Sequence, residues 1–311
     1  MSDCLIITAA AQAFAEELHN HGAGDIAVTP CATAEAALDQ YAGEKILFGN
    51  PDLIAAVLEQ LPAVEWVQST WAGVTPLIRS SRREYILTGV KDVFGPQMSE
   101  YVFGYLLAHE LKVLERNAAQ RRKEWFREDS GVLAGRRIGI MGTGSIGAHI
   151  AKTARCFGMS VRGLSRTGAD AANFDEVFAI DALDRFLAGL DHVVSTLPQT
   201  PATDRLLDAE SLSKLPAHAY LVNVGRSNVI DDAALADALS NGRLAGAALD
   251  VFDEEPLPET SPLWDVPGLS ITAHIAAISH PSLIVPIFVD NYRRYVRGDA
   301  LKYVIDFDAG Y

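Results

Sequence analysis

Short apolar runs alternate with longer amphipathic stretches along almost the whole chain. The first run is Cys4–Thr8 (CLIIT), followed by AAAQAFAEELHNH; then come Asp25–Thr29 with ATAEAALDQYA, Lys45–Gly49 with DLIAAVLEQL, and Val64–Ser69. Runs of this length, apolar on both faces, suit strands buried in a parallel sheet, and the stretches between them have the spacing of covering helices. The pattern predicts βα units. After Gly95-Pro96 an amphipathic segment from Met98 to about Lys123 predicts one long connecting helix. Beyond it the rhythm restarts at 136–141, 159–164, 191–196, 219–224, 245–251 and 269–272, which predicts a second parallel sheet, and 281–297 is again helical in pattern. With no internal repeat and no low-complexity linker, the expected plan is a domain of residues 98–275 inserted into a domain made of 1–97 and 276–311.

A length of 311 residues with 49% apolar side chains is enough for two real cores. No run of about 18 apolar residues is present, and the start, MSDCLIIT, lacks the basic region and cleavage signal of a secretory leader, so no membrane partner and a cytoplasmic location are expected. Cys4, Cys31 and Cys156 are widely spaced and read as reduced thiols rather than a disulfide frame or zinc site. A formal charge of −14 argues against a nucleic-acid partner. The densest basic run, Arg121, Arg122, Lys123 and Arg127, is interleaved with Glu124, Glu128 and Asp129 and reads as a solvated or subunit-contacting face. An acidic protein that binds anions must therefore concentrate its cations in a cleft.

One glycine-rich segment points to such an anion. Ile138–Gly147, IGIMGTGSIG, places Gly142, Gly144 and Gly147 between a strand-like run and a helix-like one. Gly142 suits a tight turn, Gly144 lets the main chain approach a pyrophosphate, and Gly147 lets helix and strand pack closely; the free N–H groups around Ser145 and Ile146 face the anion. The plain alternative is a glycine turn without ligand. An NAD site usually carries an acid about 20 residues further on, but this chain offers Ser165 and Arg166 there. A guanidinium suits a 2′-phosphate, so NADPH is expected over NADH, with NAD still possible. A surface arginine is the competing reading of Arg166.

Three later strand ends carry acid, base and cation. Arg226 closes VNVGR, Glu255 lies in DVFDEEPLP, and His274 lies in ITAHIA. A cation that holds a carboxylate, an imidazolium that protonates a carbonyl, and a carboxylate that orients the ring form a coherent set for reducing a 2-keto acid. The other seven histidines lack such positions and read as structural or exposed. Glu254 competes with Glu255 for the ring, and Arg226 could instead pair with an acid of the other domain. No spacing of histidines or carboxylates suggests a metal.

With these motifs in view, the chain resembles the D-isomer-specific 2-hydroxyacid dehydrogenases, in particular the glyoxylate/hydroxypyruvate reductase branch. GTGSIG (142–147), LPQTPAT (197–203), VNVGR (222–226), DVFDEEPLP (250–258), SPLW (261–264) and AHIAA (273–277) carry the resemblance in order. It implies an α/β fold in two domains, a Rossmann-type doubly wound cofactor domain inserted into a flavodoxin-like substrate domain. It further implies that Arg226 orients the keto acid, that Glu255 supports His274 as the general acid, and that Asp250 meets the nicotinamide carboxamide. Leu197, Pro198, Thr203 and Val224 would lie along the cofactor. Trp71, Ala72 and Gly73, ahead of Val74, resemble the loop whose amides receive the substrate carboxylate, although Trp71 reads equally well as core. Ser227, Ala273 and Thr75 depart from the usual glycine, proline and acid. The expected activity is NADPH-dependent reduction of a small 2-keto acid, with glyoxylate, hydroxypyruvate and phenylpyruvate open, by a homodimer formed through the 98–127 region. A dinucleotide-sensing binding protein, or an NAD-dependent dehydrogenase of phosphoglycerate, formate or another D-2-hydroxy acid, are the alternatives.

Overall fold

The computed structural model describes residues 3–308 and separates into two compact units, Met1–Val93 with Ser279–Tyr311, and Phe94–Ile278. The sequence-based limits at 97/98 and 275/276 fall a few residues inside the second unit. The difference at the first crossing has a local cause: the connecting helix begins at Gly95, ahead of Met98, with Pro96 in its first turn, where a missing N–H costs no helical bond.

In the first unit, β1 (Cys4–Ile7), β2 (Val28–Cys31), β3 (Ile46–Gly49), β4 (Trp66–Ser69) and β5 (Ile86–Thr88) form a parallel sheet in the order β2-β1-β3-β4-β5. This is the flavodoxin-like order. The strand expected at 25–29 lies slightly later, because it is an edge strand whose pairing runs through Pro30, a residue that edges admit and central strands do not. The three-residue β5 at the other edge, with Ile86 exposed, is too short to stand out as a strand in the pattern.

In the second unit, β6 (Arg137–Met141), β7 (Ser160–Ser165), β8 (Glu176–Ala179), β9 (His192–Ser195), β10 (Tyr220–Asn223), β11 (Gly246–Leu249) and β12 (Leu269–Ile271) form a parallel sheet in the order β12-β11-β10-β9-β6-β7-β8. The order reverses between β6 and β9, which marks the switch point of a doubly wound nucleotide-binding sheet. Strand β8 was not legible in the sequence, since Phe178 is its only fully buried residue. The single connecting helix expected over 98–123 is instead two, Gly95–Glu110 and Val113–Arg121. Between them Lys112 takes a left-handed conformation, φ +49°, while Glu110 turns inward to face Arg136 at 3.4 Å and His192 at 3.2 Å. Burial holds the His192 ring far below the usual histidine range, at about 4, with His109 adding to the effect, so the ring is neutral beside that carboxylate near pH 7.

The last long helix, Pro281–Arg297, belongs to the first unit and finishes its core. Phe288 stacks on Phe48 at 4.3 Å between centroids and on Trp66 at 5.5 Å, and Phe14 meets Phe48 edge-on. Two polar pairs accompany them: Asn291 donates to Gln68 Oε1 at 3.1 Å, and Trp66 Nε1 donates to Thr88 Oγ1 at 2.8 Å. Phe288 is fully buried. Phe288→Ala removes the central ring of that stack and is expected to lower unfolding stability by about 3–5 kcal/mol, read as a reduced midpoint in urea denaturation; a change within experimental error would show that the helix is dispensable to the core.

Candidate active site

The GTGSIG turn links β6 to the helix Ser145–Cys156. Gly142 has φ +104°, and a Cβ there would strike Thr196 Oγ1 at 2.5 Å. At Gly147 a Cβ would stand 1.9 Å from the Gly142 carbonyl oxygen, so helix and strand approach more closely than any side chain allows. Gly144 is the N-cap, offers no side-chain cap, and a Cβ on it would meet open space. The helix therefore starts with its first amides directed outward and uncapped by a side chain, beside a main chain that nothing covers. Such a start fits an anionic pyrophosphate over Ser145 and Ile146.

Ser165 ends β7, its hydroxyl accepting from Gly168 N at 3.0 Å, and Arg166 follows it as an exposed side chain. Leu197 is buried and Pro198 exposed in the loop after β9. Thr203 is buried, and its hydroxyl is used within the loop, donating to Pro198 O at 2.8 Å and accepting from Thr200 N at 3.0 Å. That threonine shapes the loop. Val224 is likewise buried, its amide bonded to Ser195 O. In the first unit, Trp71, Ala72 and Gly73 follow β4; Ser69 Oγ accepts from Trp71 N and donates to Trp71 O, and Trp71 is half-buried while Val74 supplies the loop's core contact.

The catalytic candidates gather at the carboxyl ends of β10, β11 and β12. Asn223, fully buried, accepts from Gly225 N at 3.1 Å and donates to Arg226 O at 3.0 Å, fixing the turn that presents Arg226. A Cβ at Gly225 would lie 2.7 Å from Leu197 O, so only glycine lets that turn pack against the loop after β9. Arg226 is half-buried, with Nη1 donating to Gly225 O at 2.6 Å. Burial lowers the proton affinity of its guanidinium from the ordinary arginine value, and the charge of Glu255 opposes that effect. Among the described residues no carboxylate forms an ion pair with Arg226, although Nη1 is partly taken by the Gly225 carbonyl. Ser227 opens a short 3-10 turn, Ser227–Val229, directly after it.

His274 and Glu255 meet at 2.9 Å, Nδ1 to Oε2, while Glu255 Oε1 accepts from Phe252 N at 2.9 Å. Glu254 is exposed and has no part in the pairing. With Nδ1 turned to the carboxylate, the ring offers Nε2 outward, the arrangement of an oriented acid or base. The backbone at His274 is left-handed, φ +54°, which is costly for a side chain of this size unless its surroundings hold it. Asp250 holds it. Its carbonyl accepts from His274 N at 2.9 Å; Oδ1 accepts from Ile275 N at 2.8 Å and Thr272 Oγ1 at 2.6 Å; Oδ2 accepts from Ala276 N at 2.8 Å. Because a carboxylate only accepts, the Thr272 proton goes to Asp250, and Tyr101 OH, 2.6 Å from Thr272 Oγ1, is the donor in that pair. Asp250 thus holds the His274 loop with three of its carboxylate acceptor sites, and Oδ2 keeps a lone pair beyond the Ala276 amide. Asn223, Thr272 and Tyr101 were not singled out beforehand; Asn223 lay inside a quoted motif, whereas nothing in sequence spacing connects Tyr101 to position 272.

Residues 103–276 match the family described as D-isomer specific 2-hydroxyacid dehydrogenase, NAD binding domain. A curated relative, glyoxylate/hydroxypyruvate reductase A of Photorhabdus laumondii, is 33% identical over 217 residues, covering 70% of this chain and 69% of the relative. Among solved structures, a D-isomer specific 2-hydroxyacid dehydrogenase family protein from Aeromonas salmonicida superposes with a TM-score of 0.94 at 39% identity, over 99% of this chain and all of that one. Another from Xanthobacter autotrophicus, solved with NADPH and MES, gives 0.86 at 31% identity over the full length of both chains. Motif order, the reversed strand order of the second sheet and these matches agree, and the chain belongs to the D-isomer specific 2-hydroxyacid dehydrogenases, a family of NAD(P)-dependent oxidoreductases.

Proposed function

We propose that this dehydrogenase reduces a small 2-keto acid of the glyoxylate/hydroxypyruvate type to the D-2-hydroxy acid with NADPH. The observation that carries the reading is the Glu255–His274 pair, held at a strand end in a backbone conformation that Asp250 stabilises. NADPH, when bound over the GTGSIG turn, supplies the hydride. The protein does the rest. The Arg226 fork binds the substrate carboxylate and fixes the carbonyl, a task that a point charge performs poorly. As negative charge builds on the carbonyl oxygen, His274 Nε2 stabilises it and then gives up its proton. Glu255 keeps the ring oriented through Nδ1 and balances the imidazolium.

Reduction consumes the proton on His274, and oxidation of the hydroxy acid returns it. His274→Gln is expected to lower kcat by about a hundredfold to ten-thousandfold, measured by NADPH oxidation with glyoxylate and hydroxypyruvate; wild-type turnover in that variant would remove His274 from the chemistry.

The preference for NADPH rests on Ser165 and Arg166 at the end of β7, where an NAD site would carry an acid, and on the NADPH found in the Xanthobacter relative. Arg166→Ala should cut the NADPH-to-NADH ratio of kcat/KM about tenfold to hundredfold, the scale of one charge-assisted contact. An unchanged ratio would place the 2′-phosphate elsewhere.

The proposed assembly is a homodimer through the 98–127 region. Leu111, Leu114 and Trp125 are 43%, 65% and 85% exposed there, more apolar surface than one segment of a monomer usually shows. Light scattering on the eluting protein should give twice the chain mass, and Leu114→Asp combined with Trp125→Asp should yield monomer; a dimer unaffected by both changes would exclude this face.

A further inference from the structure

The loop that carries His274 has little apolar packing of its own. Residues 273–275 are exposed, Ile275 and Ile278 leave 53% and 54% of their surface open, and in the stretch 273–278 only Ala276 is buried. Carbon contacts therefore do little to fix its shape, and the left-handed backbone at His274 has to be held by polar ones. Asp250 supplies those on one side. The connecting helix Gly95–Glu110 supplies others, at both ends of the loop. At its start Tyr101 OH donates to Thr272 Oγ1 at 2.6 Å, and that hydroxyl in turn donates to Asp250 Oδ1 at 2.6 Å. At its end the Gln97 side chain exchanges two bonds with the main chain of Ile278, Nε2 donating to the carbonyl at 3.0 Å and Oε1 accepting from the amide at 2.9 Å. Gln97 and Tyr101 stand at i and i+4 of the same helix and so share one of its faces. Burial pushes the Tyr101 phenol above the ordinary tyrosine range, which keeps it a donor.

We infer that Gln97 and Tyr101 are positioning residues, which pin the two ends of the loop at Ile278 and Thr272 and thereby set the direction of the His274 ring. The inference rests on His274 being the acid of the proposed reduction. An imidazole that is slightly misaimed transfers its proton more slowly, while the GTGSIG turn, built from other residues, binds the nucleotide as before. The loss therefore falls on kcat. Tyr105 packs against the Tyr101 ring at 4.8 Å between centroids, a contact that phenylalanine preserves, so Tyr101→Phe isolates the hydroxyl.

The test measures kcat and NADPH affinity of the full chain, with glyoxylate and hydroxypyruvate as substrates, in Tyr101→Phe, Gln97→Met, Thr272→Val, Thr272→Ser and the double variant Tyr101→Phe/Thr272→Val. Tyr101→Phe and Gln97→Met are each expected to lower kcat about tenfold, the scale of a small misplacement at a reacting centre, with NADPH affinity unchanged. Thr272→Val loses at least as much and Thr272→Ser recovers most of it. The double variant is no slower than Thr272→Val alone, because Tyr101 acts through the hydroxyl that valine lacks. Native kcat in either Tyr101→Phe or Gln97→Met, losses that multiply in the double variant, a Thr272→Ser variant as slow as Thr272→Val, or an equal loss of NADPH affinity overturns the inference. Should the native protein reduce no keto acid, the catalytic reading fails by itself, and amide hydrogen exchange decides the clamp. Faster exchange at Ile275, Ala276 and Ile278 in Tyr101→Phe and Gln97→Met, with the amides of β9 and β10 unchanged, supports it; unaltered protection at those three amides overturns it.

Discussion

The geometry of the candidate site depends on one buried carboxylate. Asp250 directly follows β11 with almost no exposure, and its two carboxylate oxygens and its own carbonyl collect donors from residues 272, 274, 275 and 276. Burying a carboxylate costs several kcal/mol unless it is well paired, and two amides with a hydroxyl repay that cost through charge-assisted bonds. The loop that results has one shape. Left-handed backbone at His274 would relax in an unsupported segment; here the bonds on either side of it leave no neighbouring conformation that keeps all donors satisfied. The position of the imidazole is therefore fixed by the backbone, and Glu255 has only the ring's rotation left to settle.

The parallel sheet explains why these groups meet. Asp250 N bonds to Asn223 O, Thr272 N to Leu249 O, and Val224 N to Ser195 O, so the loops after β9, β10, β11 and β12 are laced together at one edge of the sheet. Close packing there demands Gly225, just as the β6 turn demands Gly142 and Gly147. The same edge holds the amides that suit a pyrophosphate and the guanidinium that suits a carboxylate. Strand ends in a doubly wound sheet are the natural place for both.

Much of this was legible in the sequence because it is local. The glycine turn, the βα rhythm and the Arg226, Glu255 and His274 strand ends each occupy a few consecutive residues whose types limit what they can do. Features missed in the sequence have other origins. Strands β5 and β8 are short sheet-edge strands, each beginning on an exposed residue, Ile86 and Glu176, so their apolar runs do not stand out. The connecting segment reads as one amphipathic helix, but Glu110 turns inward to Arg136 and His192 and the chain bends at Lys112, contacts made by residues distant in sequence. That Asp250 also anchors a loop more than twenty residues later is not legible locally, because its partners are backbone amides of that loop. Tyr101 is more remote still, linked to Thr272 across 171 positions.

The tail helix has a consequence for biosynthesis. Phe288 and Asn291 belong to the aromatic and amide core of the first unit, yet they are translated after the whole of Phe94–Ile278. A ribosome-bound chain therefore presents Phe48 and Trp66 without their stacking partner while the inserted unit, whose strands are all already made, is free to fold. The core of the first unit can close only once the final segment has emerged, after every strand of the inserted unit has been made.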